Sequence, residues 1–447
     1  MSDKYLGLAN SKFGGSLLSA IGLPKPVALT RESTDSPHRL SGDVLYGSST
    51  DAAFSESINS ALVSTAIKLV SAEAADKCSL IFDASGISSA EQTVELYEFF
   101  HQNLSKLGRC GRIVVIGYRP GALQDAEHAT LQRGLVGFVK SVAKEIGRKG
   151  ATANLLYVDS AGDNFIAAPL RFLLSAGCAF TNGQVLTATA PVSEIDLQAD
   201  WQRPLEGKMV VVTGAARGIG LAISQVLARD GAQVIGVDVV QSQSQLNMAM
   251  NSVDGVALAL DITAQDAPQK LIDCCLQNGD KLHGIVHNAG ITRDKMLSRM
   301  TEQQWQLLMQ VNLGSVQKIN RALLAAEMLD NGGRIVGIAS ISGIAGNVGQ
   351  TNYGFSKSAV IGMVESMAQQ CAGKGITINA VAPGFIETQM TAAIPFATRQ
   401  MGRRLSSLGQ GGLPVDVAEV IAFYLSPQAA GVNGNILRVC GQSLLGA

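Results

Sequence analysis

Tyr353 and Lys357 stand four residues apart, one turn along the same face of a helix. An ammonium beside a phenol stabilises the phenolate and draws the phenol pKa towards neutrality. Such a tyrosine can give a proton to a carbonyl oxygen as hydride arrives at the carbon, or take it back in the reverse direction. Ser340 follows the apolar run 334–339 and can donate a hydrogen bond to the same oxygen. Taken singly, Tyr353 reads as a helix-face aromatic and Lys357 as a solvated charge. Their company with Ser340, Asn312 and a glycine-rich turn is what gives them a chemical reading.

That turn is Thr213-Gly-Ala-Ala-Arg-Gly-Ile-Gly220. Gly214 permits the tight turn, Gly218 lets backbone approach a pyrophosphate, and Gly220 allows close helix–strand packing. The helix that opens around Ile219 offers free amides and a partial positive charge to phosphates. Asp238 lies 18 residues beyond Gly220, at the end of the next apolar run. A carboxylate there accepts hydrogen bonds from a ribose 2′-hydroxyl and repels a 2′-phosphate, so NAD(H) is favoured. Arg217 points the other way, because a guanidinium in the turn can reach a 2′-phosphate, and NADP(H) stays open.

The elements that must position these groups alternate regularly from Lys208 onwards. Short apolar runs at 209–213, 233–237, 256–260, 284–287, 334–339, 377–382 and 436–439 read as strands buried on both faces, with helical spacing between them, as at 219–229. Repeated β-α-β units predict an α/β protein with a doubly wound parallel sheet, whose ligands lie beyond the carboxyl ends of the strands.

The first 190 residues carry a faint copy of the same plan. Residues 134–154 lie on 359–379 at a constant shift of 225, pairing Gly137 with Gly362, Gly150 with Gly375 and Asn154 with Asn379. Gly111-Arg-Ile-Val-Val matches Gly333-Arg-Ile-Val-Gly at a shift of 222, and Thr181-Asn-Gly-Gln-Val-Leu matches Val432-Asn-Gly-Asn-Ile-Leu at 251. Three collinear matches indicate an internal duplication. The copy lacks the chemistry. Tyr118 stands opposite Ser340, His128 opposite Tyr353 and Gln132 opposite Lys357, and no glycine turn follows its first strand candidate, 26–30. The change of shift from 225 to 251 removes 26 residues after the aligned helix. His128 reads as structural. The predicted organisation is a degenerate Rossmann- or flavodoxin-like domain at 1–190 without a cofactor motif, a linker at 191–206, and a cofactor-binding Rossmann domain at 207–447.

Across 207–447 the ordered set of Thr213 to Gly220, Asp261-Ile262, Asn288-Ala-Gly290, Asn312, Ser340, Tyr353-Gly-Phe-Ser-Lys357 and Pro383-Gly-Phe-Ile-Glu-Thr388 resembles the short-chain dehydrogenase/reductase family. The resemblance implies that Asp261 and Ile262 flank the adenine, and that Asn288, Ala289 and Gly290 support the cofactor along the sheet. It also implies that Ile386 and Thr388, following Pro383 and Gly384, face the nicotinamide. Lys357 would hold the nicotinamide ribose, and Asn312 would anchor a water linking Lys357 to solvent. Within the family, Gly346-Asn-Val-Gly-Gln-Thr-Asn-Tyr353, Val311-Asn-Leu313 and Gly290-Ile-Thr-Arg-Asp294 are similar to 3-oxoacyl-acyl-carrier-protein reductases. The layout resembles their high-molecular-weight form. This implies reduction of a 3-oxoacyl thioester carried by acyl carrier protein or coenzyme A. Residues 387–415 then form the variable substrate flap, where Arg399, Arg403 and Arg404 are candidates to meet a phosphopantetheine or an acidic carrier. Alternatives are a reductase of the same fold acting on a polyol or another ketone, and a nonenzymatic NAD-binding scaffold.

A net charge of −1 leaves no basic block for nucleic acid. The seven cysteines show no metal-binding spacing and read as reduced thiols. Without a signal-peptide pattern or a long apolar run, a soluble cytoplasmic protein is expected. It is also expected to form a homodimer, since the duplication can replace one contact between subunits.

Overall fold

Strands buried on both faces need helices above and below them, and the chain builds two such layers. In the computed structural model, residues 4–11, 25–33, 37–38, 40–63, 65–160, 164–194, 200–392 and 394–444 are described. The chain divides into two compact units. One holds the described residues of Met1–Ala190 together with Phe385–Gly412 and Val439–Leu444; the other holds those of Pro191–Gly384 and Leu413–Arg438.

The first unit contains β1 (Ser41–Ser48), β2 (Ala66–Val70), β3 (Ser79–Asp83), β4 (Arg112–Tyr118), β5 (Thr152–Val158) and β6 (Val185–Ala188). They form one parallel sheet in the order β2-β1-β3-β4-β5-β6. The expected strand at 26–30 is not one: residues 25–33 have no ladder partner, and the first strand is β1. Pro26 lacks an N–H, and the neighbouring Val27 carbonyl accepts a side-chain amide from Gln410 instead of a ladder bond.

The second unit contains β7 (Met209–Thr213), β8 (Gln233–Asp238), β9 (Val256–Ala259), β10 (Leu282–His287), β11 (Leu329–Ile338) and β12 (Thr377–Pro383), with β13 (Ile436–Val439) at its edge. The sheet order is β13-β12-β11-β10-β7-β8-β9, so strand order reverses between β7 and β10. Val210, Val211 and Val212 of β7 have no exposed surface. One face of this sheet packs Val211, Ile235, Ile285, Ile335 and Ile378 into a single core with the flanking helices. The strand runs read from sequence fall on these strands, with ends moved by a few residues.

The duplication reaches individual hydrogen bonds. Asn154 donates to the Thr181 carbonyl at 2.9 Å and accepts from the Gln184 amide at 2.9 Å. Asn379 donates to the Val432 carbonyl at 2.8 Å and accepts from the Asn435 amide at 2.9 Å. Arg112 and Arg334 are both buried, and each binds nearby backbone carbonyls. Losing a buried bond of this kind costs roughly 1–3 kcal/mol, which gives each copy a physical reason to keep it.

Of the linker expected at 191–206, residues 195–199 lie outside the described residues. Among the described residues no helix is long and apolar enough to cross a membrane. All seven cysteines are free thiols.

Candidate active site

The reversal between β7 and β10 is where the glycine turn sits. Gly214 has φ +69°, and a methyl group on it would lie 3.0 Å from the Ala289 Cα. A methyl on Gly220 would lie 2.0 Å from the Gly214 carbonyl oxygen, so the helix Gly218–Arg229 can start there only with glycine. Gly218 differs: its φ is +60° and its Cβ direction meets nothing within 4 Å. A closed back and an open front at a helix N-terminus fit a dinucleotide pyrophosphate.

Thr213 and Asn288 lock this turn to the next strand. Asn288 Nδ2 donates to the Thr213 carbonyl at 2.9 Å and to the Gly214 carbonyl at 3.1 Å. The Asn288 and Ala289 amides both donate to Thr213 Oγ1 at 3.0 Å, and that hydroxyl donates to the Val286 carbonyl at 3.2 Å. Thr213 is thus a hub, a role that its place in the glycine motif does not reveal. Asp238 ends β8; its Oδ2 accepts from the Ala216 amide at 3.1 Å and its Oδ1 from Val239 at 2.9 Å. Its carboxylate is fixed against the turn with lone pairs to spare. Arg217 and Asp261 are exposed, Ile219 is half-buried, Gly290 is exposed and Ile262 is buried. Asp261 Oδ1 accepts from the Thr263 amide and hydroxyl.

The helix Thr351–Ala372 carries Tyr353 and Lys357 on one face, with Lys357 Nζ 5.7 Å from the phenol ring centre. Lys357 is buried, and its Nζ donates to the Ile338 carbonyl, the last residue of β11, at 2.7 Å. Burial lowers its pKa from the usual 10.5 to about 8. Tyr353 does not follow the expected downward shift. Burial raises its pKa above the usual value; the neighbouring Ser340 hydroxyl pulls it down, and the Asp294 carboxylate adds a further push upward. Desolvation of a phenolate outweighs the hydroxyl's help here.

Ser340 lies just past β11 and is the N-cap of the helix Ile341–Ala345, its Oγ accepting from the Ser342 amide at 3.1 Å. Asn312 is buried in a π-helical turn, Gln310–Gly314. Its Nδ2 donates to the Ile291 carbonyl at 3.0 Å and to Ser356 Oγ at 3.2 Å, while its Oδ1 accepts from the Ile291 amide at 2.8 Å. The side chain clamps the segment after Gly290, beside Lys357: a Cβ on Gly290 would be 3.3 Å from Asn312 Oδ1 and 3.6 Å from Lys357 Nζ. Asp294, absent from the candidate set, accepts from Gln350 Nε2 at 2.8 Å and ties the loop after β10 to the start of the tyrosine helix.

Pro383 and Gly384 remain in this unit, but Ile386, Thr388 and the three arginines fall in Phe385–Gly412, which belongs to the other. Ile386 is buried, and its carbonyl accepts from Thr391 Oγ1, which also receives the Thr388 amide. The three arginines expected to meet a carrier all have partners within the same unit. Arg403 is buried and pairs with Glu387 in two bonds, of 2.5 and 2.8 Å. Arg404 donates to the Gly409 carbonyl and lies over the Tyr5 ring, 4.5 Å from its centre. Arg399 donates to the Ala392 carbonyl at 3.0 Å beside Phe396. A flap of many polar residues with little core of its own uses these guanidiniums to fold back on itself.

The counterparts in the first unit are packing residues. His128 Nε2 donates to the Ser85 carbonyl at 2.9 Å, and its ring stands edge-on to Tyr118. Gln132 is buried; its Nε2 donates to the Ala84 and Ile87 carbonyls, and its Oε1 accepts from the Tyr118 amide. At this sheet's own reversal, between β1 and β3, the Asp83 carboxylate accepts from the Phe54 and Ser85 amides. The buried ring of Phe54 lies alongside Tyr118. Side-chain and backbone bonds thus join the segments at this reversal.

Residues 214–441 match the family model described as enoyl-(acyl carrier protein) reductase. The chain is 40% identical over 237 residues to the 3-oxoacyl-[acyl-carrier-protein] reductase FabG of Vibrio cholerae, covering 53% of this chain and 97% of that one. It is 38% identical over 242 residues to the enzyme of the same name from Thermotoga maritima, covering 53% and 98%. Among solved structures it is similar to a doubly substituted mutant of a Serratia marcescens short-chain dehydrogenase/reductase, with a TM-score of 0.50 and 28% identity over 53% of this chain and 98% of that one. With the model matching just over half of its residues and these relatives spanned almost end to end, the chain belongs to the short-chain dehydrogenase/reductase family of NAD(P)-dependent oxidoreductases.

Proposed function

We propose that this protein reduces 3-oxoacyl thioesters, on acyl carrier protein or coenzyme A, to 3-hydroxyacyl thioesters, with NADH as the favoured cofactor. The observation that carries the reading is the joint placement of Tyr353, Ser340 and Lys357: a buried amine 5.7 Å from the centre of the phenol ring, and a serine hydroxyl near enough to draw the phenol pKa down. The names of the relatives, 3-oxoacyl-[acyl-carrier-protein] reductases, support the substrate class.

Gly214 to Gly220 would hold the pyrophosphate, Asn288 to Gly290 would line the cofactor's path, and Asp238 would take the adenosine ribose hydroxyls. The bound nicotinamide supplies the hydride. Ser340 donates a hydrogen bond to the substrate carbonyl oxygen, and Tyr353 Oη gives that oxygen its proton. Lys357, held by the Ile338 carbonyl, stabilises the phenolate left behind. A raised phenol pKa suits the reductive direction, because it keeps the proton on Tyr353 until the substrate oxygen can accept it. Asp238 supports NADH, since its fixed carboxylate would face a 2′-phosphate with like charge.

The test is cofactor oxidation followed by absorbance with acetoacetyl-coenzyme A and acetoacetyl-acyl carrier protein, run with NADH and with NADPH. Crotonyl-coenzyme A, polyols with NAD, and a substrate-free blank serve as controls. Turnover of the acetoacetyl thioesters above every control is expected. Preference for crotonyl-coenzyme A or a polyol would replace the substrate assignment, and higher efficiency with NADPH would overturn the cofactor preference.

A further inference from the structure

Phe385–Gly412, which holds all but the last three residues of the expected flap, and Val439–Leu444 pack with the first fold. The contacts are specific. Asn182 and its counterpart Asn433 make the same two bonds inside their own folds. Each Oδ1 accepts a strand amide, from Ala153 or Ile378, and each Nδ2 donates to a helix carbonyl, of Ala143 or Ala368. Asn182 adds a bond to the flap, Nδ2 to Ser407 Oγ at 2.8 Å, and Ser407 Oγ donates in turn to the Gly441 carbonyl at 2.9 Å. One position earlier, the alignment that sets Thr181 on Val432 sets Phe180 on Gly431, so the first fold carries a ring where the second carries none.

That ring is buried, with 1% of its surface exposed. It fills the space left by two glycines: a methyl on Gly412 would be 2.6 Å from it, and one on Gly441 2.8 Å. The Phe180 carbonyl accepts the Gly441 amide at 2.8 Å. Gln410 Nε2 reaches the Val27 carbonyl at 2.7 Å, and Gln442 Nε2 the Lys140 carbonyl at 2.6 Å. Gly147, at the end of the helix Ala126–Ile146, has no room for a side chain, because its Cβ would lie 2.3 Å from the Ser407 carbonyl oxygen. The first fold, which lacks 26 residues where a flap of its own would be, thus presents a fitted surface to residues 385–412.

We propose that the degenerate fold is retained as the seat of the flap, with Phe180 and Asn182 as positioning residues that hold Phe385–Gly412 in its substrate-binding conformation. The functional half of this proposal rests on the reductase reading above; the seating half does not. Neither Phe180 nor Asn182 is assigned a contact with substrate or cofactor. They act through the flap, whose first residues continue from Pro383 and Gly384 and include Ile386 and Thr388. A loosened flap raises the entropic cost of binding an acyl chain without changing the proton donor, so the effect belongs in KM and not in kcat.

The test uses the full chain with Phe180→Ala, and separately with the double change Ser407→Ala and Gln410→Ala. The second variant alters only the flap side and leaves the first fold's internal bonds intact, so it serves if the first fails to fold. Hydrogen exchange of peptides within 385–412 should quicken by about tenfold or more in each folded variant. The KM for acetoacetyl-coenzyme A should rise by about fivefold or more, with kcat within about threefold and the pH profile unmoved. Unchanged exchange, or a loss of kcat at constant KM, would overturn the proposal. If the unaltered protein reduces neither acetoacetyl-coenzyme A nor acetoacetyl-acyl carrier protein, the reductase reading falls and exchange alone decides the seating.

Discussion

Lys357 is the residue whose chemistry the fold alters most. Its burial holds the ammonium at a pKa of about 8, against an ordinary 10.5, while Tyr353 is pushed upward. Tyr353 therefore stays protonated through neutral and mildly alkaline pH, and Lys357 does not keep its charge. In the proposed mechanism Lys357 assists only as an ammonium, so kcat/KM for the proposed reduction should fall as pH rises through about 8. Stopped-flow rates between pH 6 and 10, extrapolated to limiting substrate, give this directly. A profile flat to pH 10 would mean that Lys357 keeps its charge or is not needed. Spacing made Tyr353, Lys357 and Ser340 legible in sequence, since four residues on a helix fix a common face. The clamp of Asn312 on Ile291 and the burial of Arg403 against Glu387 were not legible. Those partners lie 21 and 16 residues away, and only chain folding brings them together. Arg403 shows the consequence: breaking a buried pair costs about 3–5 kcal/mol, so reversing its charge reports on flap stability before it reports on any carrier.

Among the elements, the strand–turn–helix at β7 is the one where sequence and geometry agree most closely. Its three glycines have three different reasons to be glycine. Gly220 is limited by contact, its Cβ position being 2.0 Å from the Gly214 carbonyl oxygen, whereas Gly218 is limited by its φ of +60° and faces open space. Gly220→Ala should therefore weaken NADH binding by about tenfold or more, as the helix start is displaced from the pyrophosphate position. Fluorescence titration of NADH, with circular dichroism to confirm the fold, checks this; a dissociation constant near that of the unaltered chain would contradict it. The first strand of the degenerate fold was misplaced because β1 carries Gly42, Asp43 and Gly47, a weak strand signal, while 26–30 is more apolar. Gly47 is needed where it stands, since a Cβ there would lie 2.4 Å from the Phe99 ring. The π-helical turn at Gln310–Gly314 left no trace in the hydrophobic period, which resolves helix from strand but not one helical register from another.

At the scale of the whole molecule, the chain repeats a parallel sheet. The repetition was legible because paired residues recur at nearly constant offsets, and the matched bonds of Asn154 and Asn379 give those offsets a structural meaning. The regrouping of 385–412 with the first fold was not legible, because no local pattern records which surface a flap meets. In the first unit, His128 and Gln132 align with Tyr353 and Lys357 and are tied to backbone carbonyls. The most direct measurement is the turnover of Tyr353→Phe with an acetoacetyl thioester and saturating NADH, beside its NADH dissociation constant. The account predicts a loss of about 100-fold or more in turnover with cofactor binding within about threefold of normal. Near-normal turnover in that variant would contradict it.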